Sequence, residues 1–177
     1  MFTIKKLDVN SLPNEIFIFC DRCREQSITN NSSIKAMKLG NWGNDAWWAT
    51  WIGNEIVSVS GMHPLPEVSE DCWRVMFRTA TLKEFRALAG PISKNLTHDF
   101  NWGKILPFQL EYAKEKKAKK VVFTTNSSIE GDFNSYRTNR IVEKTLAVSG
   151  LVKLIHKDVI LYNAIQNVWE VTSYNNL

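Results

Sequence analysis

The sequence predicts an α/β (α+β) domain in which a mixed, mostly antiparallel central sheet is flanked by helices. Three strand-like segments, 45–52, 55–66 and 71–82, follow one another with short connections, which is typical of an antiparallel meander. A helical segment then separates 71–82 from the strand-like segment 120–126, and such a right-handed crossover makes these two strands parallel. The 177 residues, 44% of them hydrophobic, suffice for a real core, and we expect residues 1–177 to form a single domain.

The N-terminal region predicts one strand and two helices. Residues 2–8 alternate between apolar and polar side chains, which indicates a strand. Pro13 stands before an apolar-periodic run, so we expect a helix over 14–26. Residues 29–40 open with cap-forming residues and end in glycine, which predicts a second, shorter helix.

The middle of the chain predicts a hairpin, a third strand and a loop. Gly53 and Asn54 separate the first two strands and favour a tight turn. The third strand is followed by a Gly-, Asn- and Thr-containing stretch, 83–100, for which we expect a loop. The next helix begins near 104–106, and the side chains expected on or near its buried stripe are Ile105, Leu106, Phe108, Gln109 and Tyr112.

The C-terminal third predicts a strand, a helix and a final pair of strands. Residues 120–126 form a continuous β-branched run, the mark of a buried strand. Residues 135–149 are helical, and Gly150 provides the stop. The expected buried stripe of that helix is Ile141, Val142, Thr145, Leu146 and Val148. Two β-type segments, 151–160 and 160–171, complete the chain.

Charge and cysteine content narrow the function classes. The net charge of +4 suits an anionic ligand, and nucleic-acid binding is the least favoured alternative. The basic run Lys114–Lys120 is expected to be a solvated last helical turn, with a phosphate-facing patch as the alternative. Cys20 and Cys23 share a helix face, which favours buried free thiols over a metal site, so we expect no metal. No apolar run approaches ~20 residues and no signal peptide is recognisable, so we expect a cytoplasmic protein without a membrane span.

Two local patterns carry a resemblance to a known family. Asn139, Val142, Leu146, Gly150 and Leu151 fall at the spacings of a segment that runs Asn-x-x-Ala-x-x-x-Tyr-x-x-x-Gly-Phe in that family. In the second pattern, a hydrophobic residue ends a strand and an arginine soon follows to open a phosphate loop, as Leu82 and Arg86 do here. With these patterns and the order of its elements, the chain resembles the GNAT family of acyl-CoA-dependent N-acetyltransferases.

The resemblance implies a cofactor and a way to hold it. In this fold two parallel strands splay apart, and the pantetheine arm of acetyl-CoA, or of another acyl-CoA, pairs with the exposed strand as an added strand would. The pyrophosphate lies on backbone N–H groups at the start of the next helix. The cofactor-binding residues that the resemblance implies are Phe77, Arg78, Thr79, Ala80, Thr81, Leu82, Arg86, Ala87, Ala89, Gly90, Asn126 and Asn139.

The chain departs from the family pattern at two places. Ala89 stands at the first glycine position of the phosphate loop, Gly90 comes one residue late, and Pro91 removes one N–H donor. Leu146 occupies the position of a tyrosine that protonates the leaving thiolate in many members. These departures keep open the alternative that the chain is a catalytically inactive binding or accessory module of the same fold.

The resemblance implies acyl transfer to an amine by direct attack within a ternary complex. The acceptor is a small-molecule or peptide amine, which must lose a proton while the thiolate gains one. The catalytic candidates are His63, whose ordinary pKa suits a base at neutral pH, together with Glu67 and Tyr136. A homodimer is possible through the aromatic strand that contains Trp47, Trp48 and Trp51.

Overall fold

The fold is described from a computed structural model, over residues 1–28, 39, 44–89, 101–128 and 133–176. The helix predicted over 29–40 lies outside the described residues apart from Leu39. Among the helices in these ranges, none is long and apolar enough to pass through a membrane.

Seven strands form a mostly antiparallel sheet with one parallel pair, as the sequence predicts. The strands are β1 (Phe2–Lys6), β2 (Ala46–Ile52), β3 (Glu55–Pro64), β4 (Cys72–Thr81), β5 (Lys120–Asn126), β6 (Val152–Leu161) and β7 (Ala164–Val171). Their order is β1-β2-β3-β4-β5-β7-β6, and β4 runs parallel to β5. The predicted fold class and the predicted parallel pairing of β4 with β5 are therefore confirmed.

The α-helices of the described ranges follow the predicted order, and short 3₁₀ and π-helical segments are added to them. Within residues 1–28, 44–89, 101–128 and 133–176, the α-helices are α1 (Asn14–Glu25), α2 (Leu106–Glu115) and α3 (Phe133–Lys144). A π-helical turn, Asn101–Ile105, leads directly into α2, and a 3₁₀ helix, Thr172–Asn176, follows β7. The expected loop after β4 instead starts with a 3₁₀ helix, Lys83–Ala89, so that part of the prediction is wrong.

The chain divides into two compact units, each with its own core. The first contains Met1–His63 and Val75–Tyr112, and the second contains Pro64–Arg74 and Ala113–Leu177. The core of the first unit includes Leu7, Ile16, Phe19, Cys23, Trp47, Ala49, Ile56, Val59, Phe77, Ala80 and Leu82. The core of the second unit includes Leu65, Cys72, Val122, Leu161 and Val168.

The buried stripes of α2 and α3 differ from the predicted ones. Phe108 is 43% exposed, and the buried positions in and before α2 are Ile105, Leu106, Gln109, Leu110 and Ala113. Val142 and Leu146 are buried as predicted, whereas Ile141 is 41% and Val148 is 81% exposed. Asn139 completes the inner face of α3, so this stripe ends in a polar side chain.

Gly150 ends the helical path after α3, as the sequence predicts. Its φ of 75° lies in the left-handed region, where a side chain would be strained. The N–H of Leu151 donates to the carbonyl of Leu146, and the N–H of Gly150 donates to that of Ala147. These two bonds form a Schellman motif, which satisfies carbonyls that a helix end leaves without intrahelical partners.

Strand β2 lies inside the sheet, and its large side chains pack within the chain. It pairs with β1 along one edge and with β3 along the other, so both of its ladders are occupied. Trp47 is fully buried, donates through Nε1 to the Asp45 carboxylate and stands opposite Gly61 of β3. A Cβ atom at Gly61 would lie 2.7 Å from Trp47 Cε3, so the indole fills the space that the missing side chain leaves.

Strand β6 is the last strand of the sheet and is irregular. Its register with β7 shifts between Leu154 and His156, and again between His156 and Val159. Asp158 has a φ of 52°, which interrupts the extended backbone at the second shift. The two-residue turn from β6 to β7 has positive φ at Tyr162 and Asn163, as a type I′ hairpin requires.

Candidate functional site

The backbone of β4 is distorted at two positions within the predicted cofactor segment. Met76 has a φ of 55° and Arg78 a φ of 51°, and neither is a glycine. A side chain in this region costs roughly 1–3 kcal/mol, so such residues persist only where their surroundings hold them. The parallel pairs with β5 join Cys72–Arg74 to Lys120–Val122, and the distortion begins two residues beyond them along β4.

A buried glutamine of α2 holds the first distorted residue. Gln109 is fully buried, and its Oε1 accepts a hydrogen bond from the N–H of Met76 at 3.2 Å. Its Nε2 donates to Ser60 Oγ at 3.1 Å and to the carbonyl of Gly61 at 3.0 Å. One carboxamide therefore joins α2 to both β3 and β4, at the place where β4 departs from regular geometry.

Two further polar contacts fix the rest of the segment. The hydroxyls of Ser60 and Thr79 share a hydrogen bond of 2.8 Å. Asn101, which is 1% exposed and belongs to the π-helical turn, donates through Nδ2 to Thr81 Oγ1 at 2.9 Å. Hydrogen bonds from side chains thus hold β4 at Met76, Thr79 and Thr81.

The 3₁₀ helix after β4 presents Arg86 to solvent and is tied to α1. Arg86 is exposed, and its Nε donates to the Thr81 carbonyl at 3.3 Å. Glu84 pairs with Arg22 and accepts from Gln26 Nε2 at 2.7 Å. The pKa of Glu84 is lowered, chiefly by a hydrogen bond from its own backbone N–H. The hydrogen bond from Gln26 and the positive charge of Arg22 lower it further. The carboxylate is therefore stabilised in its charged form, which anchors the helix that carries Arg86.

The remaining residues predicted in this unit lie on β3, β4 and the 3₁₀ helix. His63 is 2% exposed, and its ring packs edge-on against Phe77 at 4.7 Å between centroids. Phe77, Ala80, Thr81 and Leu82 are also buried, whereas Ala87 is exposed. Ala89 is the last residue of the 3₁₀ helix, and Gly90 lies outside the described residues.

In the second unit, Asn139 is the centre of a buried polar network. Its Oδ1 accepts from Thr125 Oγ1 at 2.6 Å and from Asn167 Nδ2 at 3.0 Å. Trp169 Nε1 donates to Thr125 Oγ1 at 2.8 Å, and Asn167 Oδ1 accepts the N–H of Asp158 at 3.0 Å. The network connects α3 with β5, β6 and β7. Asn126, the last residue of β5, directly follows Thr125 of this network in the sequence.

The other two catalytic candidates also belong to the second unit. Glu67 accepts a hydrogen bond from the Tyr162 hydroxyl at 3.5 Å. Burial, and then the negative charge of Glu67, raises the pKa of Tyr162. Tyr136 lies in the first turn of α3. The structure therefore distributes the predicted catalytic residues over both units, with His63 in the first and Glu67 and Tyr136 in the second.

The polar residues that support β4 are not apparent from sequence patterns alone. No pattern assigns a role to Asn101, and the helical period places Gln109 only on or near the buried stripe of α2. The available signal was a glutamine on the face of a helix that otherwise buries apolar side chains, since buried amides normally serve specific partners.

Cys20 and Cys23 lie on α1, and Cys23 is packed in the core of the first unit. Within the part of the chain that the structure describes, no three His, Cys, Asp or Glu side chains are grouped to hold a metal ion.

The chain matches no protein-family model, and no curated protein matches it either. Its structure is similar to that of a Desulfovibrio desulfuricans protein assigned to the GNAT family of acetyltransferases, with a TM-score of 0.63, 10% identity and 96% of each chain covered. It is similar to a GNAT-family acetyltransferase from Staphylococcus aureus Mu50, with a TM-score of 0.59, 10% identity, and 97% and 100% covered. An acyl-CoA N-acyltransferase from Pseudomonas aeruginosa has a TM-score of 0.57 and 7% identity, with 96% and 99% covered.

These likenesses extend over nearly the whole chain and show that it has the fold of the GNAT acetyltransferases. They confirm, at the level of the fold, the resemblance that the Asn139–Leu151 spacing and the Leu82–Arg86 pair indicate.

Proposed function

We propose that this protein is an acyl-CoA-dependent N-acyltransferase that transfers an acetyl or related acyl group to an amine. The observation that carries the proposal is the distortion of β4 at Met76 and Arg78, which is held by buried hydrogen bonds. Strain of this kind is concentrated at functional sites, because the surrounding structure has to offset its cost. In a GNAT fold this is the strand to which the resemblance assigns pantetheine binding.

The residues of β4 and the following 3₁₀ helix fit the two ends of an acyl-CoA. Residues Phe77 to Thr81 of β4, with Leu82 directly after them, offer backbone that would pair with the amides of the pantetheine arm. Arg86 is exposed only four residues beyond Leu82, and its guanidinium would bind phosphate oxygens. The resemblance also assigns Asn126 and Asn139 to cofactor binding, and Ala87, Ala89 and Gly90 to the phosphate loop.

The acyl donor supplies a thioester, which is activated towards amines without a covalent enzyme intermediate. In the transfer a C–N bond forms and the C–S bond breaks, while the amine loses a proton and the thiolate receives one. We propose His63 for the first proton transfer, because its ring touches Phe77 on the proposed pantetheine strand. Glu67 and Tyr136 are the remaining candidates for moving these protons, and Leu146 has no group that could do so.

The first test is a thermal shift measurement with CoA, acetyl-CoA and longer acyl-CoAs. A ligand that binds only the folded protein at 100 times its Kd adds about 2.7 kcal/mol, which corresponds to a rise in Tm of several degrees for a chain of this size. Thiol release with a panel of small amines and peptides then tests turnover. An unchanged Tm at millimolar acetyl-CoA would contradict the proposal.

The second test is the Arg86→Ala substitution. Loss of a charge-assisted phosphate contact is expected to weaken CoA binding about tenfold, with little change in Tm because Arg86 is exposed. Lys157→Ala is the matched control, since it removes a positive charge from an exposed site on β6. Equal CoA affinity in the two variants, measured by calorimetry, would remove Arg86 from the site.

The alternative of a catalytically inactive binding or accessory module is favoured by Leu146, which is buried at the position of the family's tyrosine. The same experiments separate the two functions. A module would bind acyl-CoA and show the Arg86 effect, but it would release no thiol with any amine of the panel.

A further inference from the structure

We propose that Gln109 and Asn101 are positioning residues that hold the Met76–Thr81 segment of β4 in the shape that accepts the pantetheine arm. This inference rests on the proposed acyltransferase function, which it deepens by naming the groups that keep the binding strand ready. Both residues lie on one continuous helical segment, the π-helical turn followed by α2. They contact β4 at Met76 and at Thr81, the two ends of the segment.

The burial of Gln109 is compensated by its hydrogen bonds. A leucine or methionine of similar size would fill the same place without removing an amide from water, so the carboxamide needs compensating hydrogen bonds. It has three of them, to the Met76 N–H, to Ser60 Oγ and to the Gly61 carbonyl. The first of these bonds is made to Met76, whose positive φ is unfavourable for a residue other than glycine. The hydrogen bonds therefore offset a cost at the place where β4 becomes irregular.

The effect of Gln109 extends further along β4 through a second hydroxyl. Ser60 Oγ accepts from Gln109 and also bonds Thr79 Oγ1, one residue beyond the second distortion at Arg78. Such a chain of buried hydrogen bonds fixes all its members together, since the loss of one leaves the next without its partner. Met76 and Thr79 are thus held by the same amide, directly and through Ser60.

Asn101 performs the corresponding role at the other end. Its donor bond to Thr81 Oγ1 lies at the last residue of β4, and the Thr81 carbonyl in turn accepts from Arg86. The helical segment that carries Asn101 and Gln109 follows the proposed phosphate loop in the chain. Consequently, one helical segment supports both ends of the strand that is proposed to bind pantetheine.

The experiment compares Gln109→Met with Gln166→Met. Gln166 is also a buried glutamine, and its Nε2 donates to the Leu161 carbonyl at 2.8 Å, but it lies in the second unit on β7. Both substitutions remove a buried amide at nearly constant volume, so both lower Tm. Affinities are measured well below both melting temperatures, for acetyl-CoA and for adenosine 3′,5′-bisphosphate, which has no pantetheine arm.

We expect Gln109→Met to weaken acetyl-CoA binding roughly tenfold and to leave the affinity for adenosine 3′,5′-bisphosphate unchanged. Gln166→Met should leave the affinity for adenosine 3′,5′-bisphosphate unchanged and should weaken acetyl-CoA binding much less than Gln109→Met does, because its amide bonds the Leu161 carbonyl and not β4. Asn101→Leu, which acts at the other end of the segment, should repeat the Gln109→Met result and provides the test if Gln109→Met does not fold. The inference would be overturned if the Gln109→Met and Gln166→Met proteins bound acetyl-CoA equally well. If Gln109→Met does not fold, it would be overturned by equal acetyl-CoA affinity in Asn101→Leu and the unaltered protein.

Amide hydrogen exchange separates this inference from the proposed function. In the ligand-free protein, Gln109→Met should accelerate exchange at the amides from Met76 to Thr81, and Gln166→Met should not. If the unaltered protein binds no acyl-CoA, the proposed function fails, but a selective acceleration still supports the positioning role of Gln109. If exchange in this segment is the same in both variants, the positioning role is rejected whatever the ligand results show.

Discussion

Gly61→Ala is expected to destabilise the protein by about 3 kcal/mol, at the upper end of the usual cost of overpacking a core. The new Cβ would lie 2.7 Å from Trp47 Cε3 and 2.8 Å from two further atoms of the ring, whereas real Cβ contacts essentially never fall below 3.0 Å. The indole has little room to move, because it is fully buried, bonded to Asp45 and packed on Phe77 at 5.6 Å. Denaturant unfolding at 25 °C measures the loss.

Two variants identify the cause of that loss. Gly53→Ala places a methyl group in open space, where only the positive φ of 58° opposes it, so it should cost about 1 kcal/mol. In a Trp47→Leu background, Gly61→Ala should cost much less than in the unaltered protein, because the ring that it meets has been removed. A stability of Gly61→Ala within about 0.5 kcal/mol of the unaltered protein would show that the sheet relaxes around the methyl group.

The protein is expected to lose stability steeply above pH 9, and Cys23 should account for a large share of the loss. Burial, followed by the neighbouring Cys20 charge, raises the pKa of the Cys23 thiol from 9.0 to about 12. In the unfolded chain the thiol releases its proton near pH 9, while in the folded protein it keeps the proton. Since the folded state then binds more protons, its stability is complete below pH 9 and falls as the pH rises towards 12. The full difference corresponds to roughly 4 kcal/mol.

Guanidinium unfolding at pH 8 to 10.5 in the presence of a reductant tests this dependence. Cys23→Ala should be less stable at pH 8 through lost packing, but its stability should fall less steeply with pH. Cys72→Ala is the comparison in the second unit, where burial raises the thiol pKa to about 11 and the same effect covers a narrower pH range. Identical pH slopes for Cys23→Ala and the unaltered protein would show that this thiol is accessible to hydroxide in the folded state.

The order of elements could be predicted from the sequence because each signal is local. Strand-forming residues and the turn between them locate β2 and β3 to within a few residues. A glycine likewise locates the end of the helical segment that continues α3 to Gly150. The buried face of α2 was less predictable, since the face is centred on Gln109 and Ala113, and Ile105 lies at its edge. An ideal period counted from Ile105 assigns Phe108 to the core, whereas the structure exposes it and buries Leu110 and Ala113.

The candidate site was harder to predict from the sequence, because its geometry depends on contacts between residues that are distant in the chain. Positive φ within a strand is usually signalled by glycine or asparagine, but β4 has methionine and arginine at the two positions. The N–H of Met76 donates to Gln109, which is 33 residues away in sequence, so no local pattern could reveal this contact. Asn139 was found through the resemblance to a family, while its bonds to Thr125 and Asn167 required the sheet to be in place.

The irregularity of β6 has a consequence for the behaviour of the protein in concentrated solution. A regular terminal strand would present an unbroken row of backbone donors and acceptors, to which a strand of another molecule could add. Here two register shifts and the left-handed Asp158 break that row, and Lys153 and Lys157 place charge along it. The β6 edge of the sheet is therefore a poor template for intermolecular β-pairing, which protects the folded chain from aggregation through this strand.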